Sequence, residues 1–529
     1  MKINIFLLLL LIGLSLVPFT TAAPNQTSPN VVLMIGDGMG PEQIKLASLV
    51  EYGTPNGSIM QTEFPIVSQY VTNNIDGKIT DSAAGGSAIA TGQLTANGVI
   101  SMDETKSIRV KTILEYLKDD FGYATGLITT TEFAHATPAV FGSHTTNRDN
   151  KEAIRDQLLS SGIDLILGGG KEVSYVGGAD AAKSLGESYG YTTITSRNEL
   201  LTIPLSSSKI FGVFGTTNMP YELERDPSID PSIVEMTDKG LEFLSQKGNP
   251  FFLMIEGGRI DHAGHMVNSN ENKTLYNVME TIMFEKAVRR VLDFAKQDGN
   301  TIVVVAADHE TGGLQVYDYS GLDATLPSED LSRDENNQIR MRRVAEINAS
   351  FSTNSHTDTP VYFFGYGSDF GDVIVDTIDD VFWAINGALG KFPTVRNDRF
   401  TIEDTTIKYS FEIMDLDNSA ESYEIVQIFE NGTKLSSGNI SIADLSQNNQ
   451  FEYSFPSPET NDSVVFFVKV HDSSISISSL SKTYLSLPPT NQATTDQTTD
   501  LNFPIWVICL SSIPLIRRKT GKKFLKMLH

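Results

Sequence analysis

The chain is nearly free of cysteine, with Cys509 the single one among 529 residues. A framework of intrachain disulfides, common in small exported domains, is therefore excluded. A chain of this length does not need one, because it can bury a large core and 40% of its residues are hydrophobic. The length predicts two or three structural units.

Basic residues are scarce relative to acidic ones. Lys and Arg number 40 against 65 Asp and Glu, so the formal net charge is −25. Binding to nucleic acid depends on clustered positive charge, so we expect no nucleic-acid partner. Small anionic substrates stay compatible with this composition, because they respond to the local field of a site.

Long uncharged apolar runs lie only near the two ends. Residues 1–23 place a lysine before an apolar stretch that ends in small residues. This pattern predicts a secretory signal peptide, with a short membrane anchor as the alternative.

The second apolar run, at 501–517, is followed by a basic tail at 518–529. As a helix, its sixteen uncharged residues extend roughly 24 Å, short of a hydrocarbon core of about 30 Å, and flanking Arg and Lys side chains can reach the membrane surface. We interpret 501–517 as a transmembrane anchor and the tail as cytoplasmic, which leaves the body on the extracellular side of the cell membrane. A cleaved lipid-anchor signal and a buried core helix are the alternatives.

Short apolar runs alternate with helical patterns from residue 31 to about 390. Near-continuous apolar strands are typical of a parallel sheet that helices cover on both faces. The pattern predicts an α/β fold with a doubly wound, mostly parallel sheet, in a first unit over 24–392 that ends with a helix over 373–389. The runs are VVLMIGDG (31–38), YATGLITTTE (123–132), IDLILGGG (163–170), FFLMIEGG (251–258), TIVVVAADHE (301–310) and VYFFGYG (361–367).

The pattern changes after residue 392. Short alternating strands separated by turn residues predict a small all-β sandwich over 398–488, resembling immunoglobulin-like or fibronectin-type modules. We expect it to act as a spacer. Residues 489–500 are polar and Thr-rich, as in a linker that leads to a membrane.

Three of the apolar strands run into carboxylates, namely Asp37, Glu256 and Asp308. Ligands of open α/β sheets bind at the carboxyl ends of the strands. Three carboxylates at one poorly solvated edge would repel each other unless cations neutralise them. The sequence therefore indicates a metal site at this edge.

Histidines support this interpretation, because six of the eight lie in one part of the chain. Asp261 and His265 are spaced to share one face of a helix, and His309 follows Asp308 directly. Imidazole and carboxylate ligands together suit zinc, whereas clusters of oxygen ligands suit magnesium. The six are His135, His144, His262, His265, His309 and His356.

The stretch TDSAAGGSAIATG (80–92) surrounds Ser82 with small residues. A serine at the start of an Ala-rich helix is ordinarily an N-cap. The same position also suits a nucleophile, because the helix N-terminus attracts an anion and a metal ion can lower the pKa of the hydroxyl. Arg148 could hold two oxygens of a phosphoryl group.

Six segments together resemble the alkaline phosphatases, and they occur in the order found in that family, over roughly 30–390. The segments are IGDGMG (35–40), TDSAAGGSAIATG (80–92), TEFAHATPA (131–139), EGGRIDHAGH (256–265), ADHETGG (307–313) and SHTD (355–358).

This resemblance implies a set of site residues. Ser82 would be the nucleophile that becomes a phosphoserine, Arg148 would hold the phosphate, and Asp81 would help to orient it. Two zinc ions and a third ion, usually magnesium, would be bound. The first zinc would be held by Asp261, His265 and His356, the second by Asp37, Asp308 and His309, and the third ion by Asp37, Thr137 and Glu256.

The chain departs from family patterns at three places. His135 and His262 stand where bacterial members often carry Asp and Lys, so zinc is an alternative to magnesium as the third ion. Gly215 stands where the animal enzymes have a calcium ligand, so we predict no calcium there. The segment between His309 and His356 is shorter than in animal enzymes, where it forms the dimer interface; a homodimer remains the family expectation.

The resemblance thus implies an exported, membrane-tethered hydrolase that releases inorganic phosphate from small phosphate monoesters. A related metal-dependent phosphodiesterase or phosphonate hydrolase is one alternative. An inactive phosphate-binding surface protein is another.

Overall fold

The computed structural model describes residues 28–267, 273–367, 370 and 375–389, together with strands between 394 and 485. The predicted signal peptide, linker, membrane anchor and basic tail all lie outside these residues. Within the described parts, no helix has both the length and the apolar character that crossing a membrane requires.

Helices and strands alternate through the first 390 residues. The helices are α1 (Pro41–Tyr52), α2 (Ile59–Thr62), α3 (Ser82–Thr91), α4 (Ile113–Asp119), α5 (Ala136–Gly142), α6 (Lys151–Ser160), α7 (Ala179–Ser188), α8 (Arg197–Thr202), α9 (Ile233–Ser245), α10 (Arg259–Gly264), α11 (Lys273–Asp298), α12 (Arg333–Glu346) and α13 (Asp380–Leu389). The strands of this part are β1 (Asn30–Ile35), β2 (Ile66–Tyr70), β3 (Ala124–Glu132), β4 (Leu165–Gly169), β5 (Thr192–Ile194), β6 (Ile210–Phe214), β7 (Phe251–Glu256), β8 (Thr301–Ala306), β9 (Glu310–Thr311), β10 (Leu314–Asp318), β11 (Asn348–Phe351), β12 (His356–Thr357) and β13 (Val361–Tyr366).

A nine-stranded sheet forms the centre, in the order β2-β13-β8-β1-β7-β3-β4-β6-β5. From β8 to β5 every neighbouring pair is parallel, which confirms the predicted mostly parallel α/β sheet. Strand β13, one of the six predicted strands, runs antiparallel to both of its neighbours. Strands β2, β5 and β6 were not among the predicted ones.

Helices cover both faces of this sheet. Residues 31–35 of β1 are fully buried one after another, as expected for a strand with no solvent-exposed face. Neighbouring side chains of β7 show what lies on each side: Phe251 packs near Phe294 of α11, whereas Phe252 packs near Phe141 of α5. Because successive strand residues point to opposite faces, α11 and α5 lie on opposite sides.

The register of the central strands brings the predicted carboxylates to one edge. Ile35, the last residue of β1, pairs with Glu256 of β7 on one side and with Ala306 of β8 on the other. Asp37 lies two residues after Ile35, and Asp308 lies two residues after Ala306. Parallel strands end at the same edge, so the three carboxylates meet there.

The helix predicted over 373–389 is shorter than expected and begins at Asp380. The carboxylate of Asp380 accepts hydrogen bonds from the backbone N–H groups of Asp376 and Thr377, at 3.1 and 2.8 Å. Thr377 also forms a parallel bridge with Val71. The residues just before the helix are therefore held in an extended connection and a turn.

Antiparallel strands follow the α/β part. One sheet has the order β14-β15-β19, and the other joins β16 to β17, β18 and β20, with β21 next to β20. The arrangement of these sheets as a sandwich over 398–488 stays a prediction. Their bounds are β14 (Thr394–Glu403), β15 (Thr406–Met414), β16 (Ala420–Phe429), β17 (Lys434–Ser436), β18 (Ile440–Ser441), β19 (Gln450–Pro456), β20 (Val464–Asp472) and β21 (Ser478–Leu485).

Candidate active site

Three fully buried side chains form what we call the inner cluster: Asp37, Asp308 and His309. His309 Nε2 lies 3.7 Å from Asp37 Oδ1 and 3.3 Å from Asp308 Oδ2. The ligand atoms of all three lie within 4.8 Å of one another, close enough to share one metal ion. The structure therefore brings together the three residues predicted for the second zinc.

The residues predicted for the first zinc also meet, and we call Asp261, His265 and His356 the outer cluster. Asp261 Oδ1 lies 3.2 Å from His265 Nε2 and 3.5 Å from His356 Nε2. The two Nε2 atoms are 3.0 Å apart. The side chain of His265 is 40% exposed, so this cluster opens to solvent.

The two clusters are adjacent. The imidazole rings of His309 and His356 stack with their centroids 3.6 Å apart. Asp261, His309 and His356 together form another group able to hold a metal ion. The site is thus one continuous array of ligands rather than two separate positions.

The residues predicted for the third ion lie on the other side of Asp37. Thr137 Oγ1 is 3.4 Å from Asp37 Oδ2, and Glu256 is fully buried. Asp37, His135 and Glu256 form a third group able to hold a metal ion, with His135 Nδ1 3.9 Å from Glu256 Oε1. His135 is therefore close enough to be a ligand itself.

His262 lies behind this group. Its ring meets the ring of His135 edge to face, with the centroids 5.5 Å apart. Arg259 Nη1 lies 2.7 Å from His262 Nδ1, and the Arg259 guanidinium stacks on the ring of Tyr221. Among the described residues, His262 belongs to none of the groups that could hold a metal ion.

Ser82 is the first residue of α3, and the helix is capped by its neighbour. The carboxylate of Asp81 accepts a hydrogen bond from the N–H of Ala84, at 3.0 Å, as an N-cap does. The interpretation of Ser82 as an N-cap is therefore wrong. Its hydroxyl instead lies 3.3 Å from His309 Nε2, next to the inner cluster.

The small residues of α3 allow this approach. A Cβ atom on Gly85 would lie 2.8 Å from the carbonyl oxygen of Asp308, closer than real Cβ contacts allow. The helix can pack against the loop that carries Asp308 and His309 only because Gly85 has no side chain.

Arg148 lies beside the serine and is held from two sides. Its Nη1 donates to Asp81 Oδ2 at 3.0 Å, and its Nη2 lies 3.1 Å from His135 Nε2. Because a guanidinium only donates, His135 Nε2 is the acceptor in this contact, and Nδ1 is the nitrogen on the side of Glu256. Burial and the nearby Arg148 charge hold the pKa of His135 well below its ordinary value.

Burial and mutual repulsion dominate the electrostatics of the inner cluster. Burial and the neighbouring Asp261 charge raise the pKa of Asp308 to about 7, and burial and Asp308 raise the pKa of Asp37 well above its ordinary value. The outer cluster behaves differently. Burial alone would raise the pKa of Asp261, but hydrogen bonds with His265 and His356 hold it well below the ordinary value.

Several buried polar atoms at the site have no hydrogen-bond partner. They include Asp37 Oδ1, Asp308 Oδ2, Glu256 Oε1 and His135 Nδ1. Unpaired buried carboxylate oxygens are unfavourable unless a cation compensates them. Carboxylate and imidazole donors in this arrangement fit divalent cations such as zinc.

Three threonines also contribute, and none was predicted. Thr311 Oγ1 donates to Asp261 Oδ1 at 2.5 Å and lies 3.2 Å from His309 Nδ1, so it connects the two clusters. Thr129 and Thr131 donate to Glu256. Thr129 pairs with Glu256 in the β3–β7 register, and only the paired strands reveal this relation.

Two other predicted features also have clear positions. His144 lies apart from the metal ligands, where its ring nitrogens contact the Ser101 carbonyl and the Glu115 carboxylate at 2.8 and 2.9 Å. At Gly215 φ is +51°, and a Cβ atom would lie 2.4 Å from the carbonyl oxygen of Asn218, so no side chain fits there. The predicted lack of calcium remains a prediction.

Comparison with known proteins places this site in a family. The sequence model described as alkaline phosphatase matches residues 28–362. Alkaline phosphatase 4 of Bacillus subtilis strain 168 is 36% identical over 299 residues, which cover 54% of this chain and 62% of that protein. The match thus spans less than two thirds of that relative's length.

Solved structures agree with this result. The alkaline phosphatase of the Antarctic bacterium TAB5 is 30% identical, with a TM-score of 0.55, over 69% of this chain and 98% of its own. A variant of the TAB5 enzyme with a histidine replaced by aspartate is described with magnesium bound; it is 30% identical, with a TM-score of 0.56, over 69% of this chain and 99% of its own. The chain belongs to the alkaline phosphatase family.

Proposed function

We propose that the chain is a metal-dependent phosphate monoester hydrolase that releases inorganic phosphate. One observation carries the proposal: the Ser82 hydroxyl lies at the N-terminus of α3 and 3.3 Å from His309 of the inner cluster. A hydroxyl placed between a helix N-terminus and buried metal ligands is suited to attack a phosphate dianion. Small phosphate monoesters are the proposed substrates.

The proposed reaction has two displacements at phosphorus. Ser82 Oγ gives up its proton to solvent and forms a bond to phosphorus while the bond to the leaving oxygen breaks, and the leaving alkoxide takes a proton from solvent. Water then gives up a proton and attacks the phosphoserine, the bond to Ser82 Oγ breaks, the serine oxygen takes up a proton, and phosphate leaves. Arg148 binds two phosphoryl oxygens, and Asp81 holds its guanidinium in place. The bound cations would supply Lewis acidity, which lowers the pKa of the serine hydroxyl and neutralises charge on the phosphoryl oxygens.

We assign one zinc ion to the outer cluster and one to the inner cluster, because both combine imidazole and carboxylate ligands. We assign the third ion to Asp37, Glu256 and Thr137, whose oxygens suit magnesium. The closeness of His135 favours zinc as the alternative third ion. Magnesium in the TAB5 variant shows that a relative holds this ion after a histidine becomes aspartate.

Replacing the nucleophile tests the proposal. We expect Ser82→Ala to lower the turnover of a phosphate monoester at least about 10³-fold and to remove the acid-stable phosphoenzyme, while the fold is kept. Turnover is measured with p-nitrophenyl phosphate, and the phosphoenzyme by mass spectrometry of the peptide that contains Ser82. Ser87→Ala, in the same helix, is the control. Wild-type turnover by Ser82→Ala would contradict the assignment.

Two further assays separate the alternatives. A faster rate with a phosphate diester or a phosphonate than with a monoester would favour the related hydrolases. Exhaustive chelation should abolish activity, and zinc with magnesium should restore it. Binding of phosphate without turnover of any of these esters would favour a phosphate-binding surface protein.

We further propose that the protein is exported, tethered to the extracellular side of the membrane by 501–517, and dimeric. The apolar run and its basic flank support the tether. Deleting 501–529 should release active protein into the medium, and a truncated protein that stays with the membrane would contradict this. Light scattering of the released protein tests the dimer.

A further inference from the structure

An unusual pair of hydrogen bonds joins an edge strand of the sheet to the backbone of the candidate site. Tyr70 is the last residue of β2, and it is only 1% exposed. Its hydroxyl donates to the carbonyl oxygen of Ala307 at 2.5 Å and accepts from the N–H of the same residue at 3.0 Å. One side chain thus satisfies both backbone groups of Ala307.

The sheet explains why Ala307 needs such a partner. Strand β13 pairs with β8 from Val303 to Val305, and the pairing stops two residues before Ala307. Ala307 is 1% exposed, so its N–H and C=O cannot rely on water. A tyrosine hydroxyl, which donates once and also accepts, supplies what a neighbouring strand would have supplied.

Ala307 directly precedes Asp308 and His309, two of the three residues of the inner cluster. We propose that Tyr70 is a positioning residue, which holds this backbone so that Asp308 and His309 converge on a cation. The inference rests on the proposed function of the inner cluster. It assigns Tyr70 no contact with substrate.

The hydroxyl also keeps its proton under alkaline conditions. Burial raises the pKa of Tyr70 well above its ordinary value, and this effect exceeds the lowering by the hydrogen bond to Ala307. The bond to the Ala307 carbonyl therefore persists where an ordinary tyrosine would ionise.

A matched tyrosine separates positioning from plain stabilisation. Tyr191 is 3% exposed, and its hydroxyl donates a hydrogen bond to the carbonyl oxygen of Ile163 at 2.7 Å. It packs beside Phe211 of β6, which lies five strands away from β8, next to the other edge of the sheet. Tyr70→Phe and Tyr191→Phe each remove one hydroxyl from a buried ring. Both should lower the Tm of the metal-free protein, because both leave buried backbone groups without a partner.

The discriminating measurement is zinc affinity, obtained on the full chain by competition with a chromophoric zinc chelator. We expect Tyr70→Phe to bind at least one zinc ion about 10- to 100-fold more weakly than the wild type, and Tyr191→Phe to bind like the wild type. Equal affinity of Tyr70→Phe and the wild type would overturn the inference. Equal weakening by both variants would overturn it too.

The result is distinguishable from a failure of the proposed function, since zinc binding is measured without any substrate. A wild-type chain that binds zinc but hydrolyses no monoester would contradict only the proposed function; one that binds no zinc would overturn both. If Tyr70→Phe does not fold, amide exchange of the wild type gives the answer. An Ala307 N–H as protected as that of Val305 supports the inference, and fast exchange at Ala307 overturns it.

Discussion

The inner and outer clusters contain the same types of side chain but differ in how far hydrogen bonds satisfy their buried carboxylates. In the inner cluster, Asp37 and Asp308 are fully buried, and each has a carboxylate oxygen without a hydrogen-bond partner. In the outer cluster, Asp261 is nearly as buried, yet its carboxylate has partners in Thr311 and the two histidines.

This difference separates two ways of building a metal site. The outer cluster is hydrogen-bonded within itself, so its geometry is stable before a cation arrives. The inner cluster gathers negative charge that the protein leaves uncompensated, so its ligands store unfavourable free energy that a cation relieves. We therefore expect metal removal to affect the stability of the inner cluster more strongly.

The largest expected effect comes from removing one charge from each cluster. Asp308→Asn and Asp261→Asn should each lower kcat/KM for a phosphate monoester at least about 10³-fold, because each removes a proposed metal ligand. In the metal-free protein they should act in opposite directions: Asp308→Asn raises the Tm by relieving repulsion, and Asp261→Asn lowers it by weakening hydrogen bonds to a charged acceptor. Calorimetry after chelation measures the Tm of both variants. Changes of the same sign would contradict the proposed difference between the inner and outer clusters.

A smaller effect is expected in the order of metal release. The outer cluster is reached by solvent through His265, whereas every residue of the inner cluster is fully buried. A chelator should therefore remove one zinc ion at least about tenfold faster than the other. His265→Ala should accelerate only the fast phase, measured by stopped-flow absorbance of the chelator. Acceleration of the slow phase alone would show that the assignment of fast and slow sites is reversed.

The smallest effect is a pH dependence of the stability of the metal-free protein. The raised pKa of Asp308, about 7, and that of Asp37 mean that the folded state binds more protons than the unfolded state, so stability falls as pH rises toward these values. Burial lowers the pKa of His309 well below its ordinary value and that of His262 to about 4, which has the opposite effect, but only below about 6.5.

Above pH 6.5 the two histidines therefore no longer offset the effect of the carboxylates on the stability of the metal-free protein. We expect the Tm of the metal-free protein to fall by about a degree between about pH 6.5 and 8, where Asp308 loses its remaining proton, and that of the zinc-loaded protein to change less. Thermal unfolding in the two states measures this directly. A metal-free protein whose Tm rises over this range would contradict the charge assignment of the inner cluster.

The sequence predicted the central part of the fold well, because buried parallel strands leave a clear apolar pattern. It missed β5, which has three residues, β2, where partly buried and exposed positions alternate at the edge of the sheet, and β6, whose five residues are all buried. The apolar pattern also could not predict that β13 runs antiparallel to its neighbours, because an apolar run gives no information on strand direction. The start of α13 at Asp380 depends on a turn that apolar spacing does not encode.

At the candidate site the resemblance to a family implied a set of metal ligands, and the structure brings those side chains close together. That they bind metal ions stays a prediction. What the sequence could not supply were contacts made across strands and between distant loops. Thr129 reaches Glu256 through strand register, and Tyr70 reaches Ala307 from an edge strand. Arg148 interacts with His135 as well as Asp81, which only the folded chain reveals.

The contact of Gly85 with the Asp308 carbonyl has a consequence for how this protein can change. The distance between the backbone of α3, which carries Ser82, and the loop of Asp308 and His309 is set by main chain packed against main chain. Exposed side chains of the site can therefore be exchanged without changing this distance. A single methyl group added at position 85 would change it, since it would push α3, and Ser82 with it, away from His309 and the inner cluster.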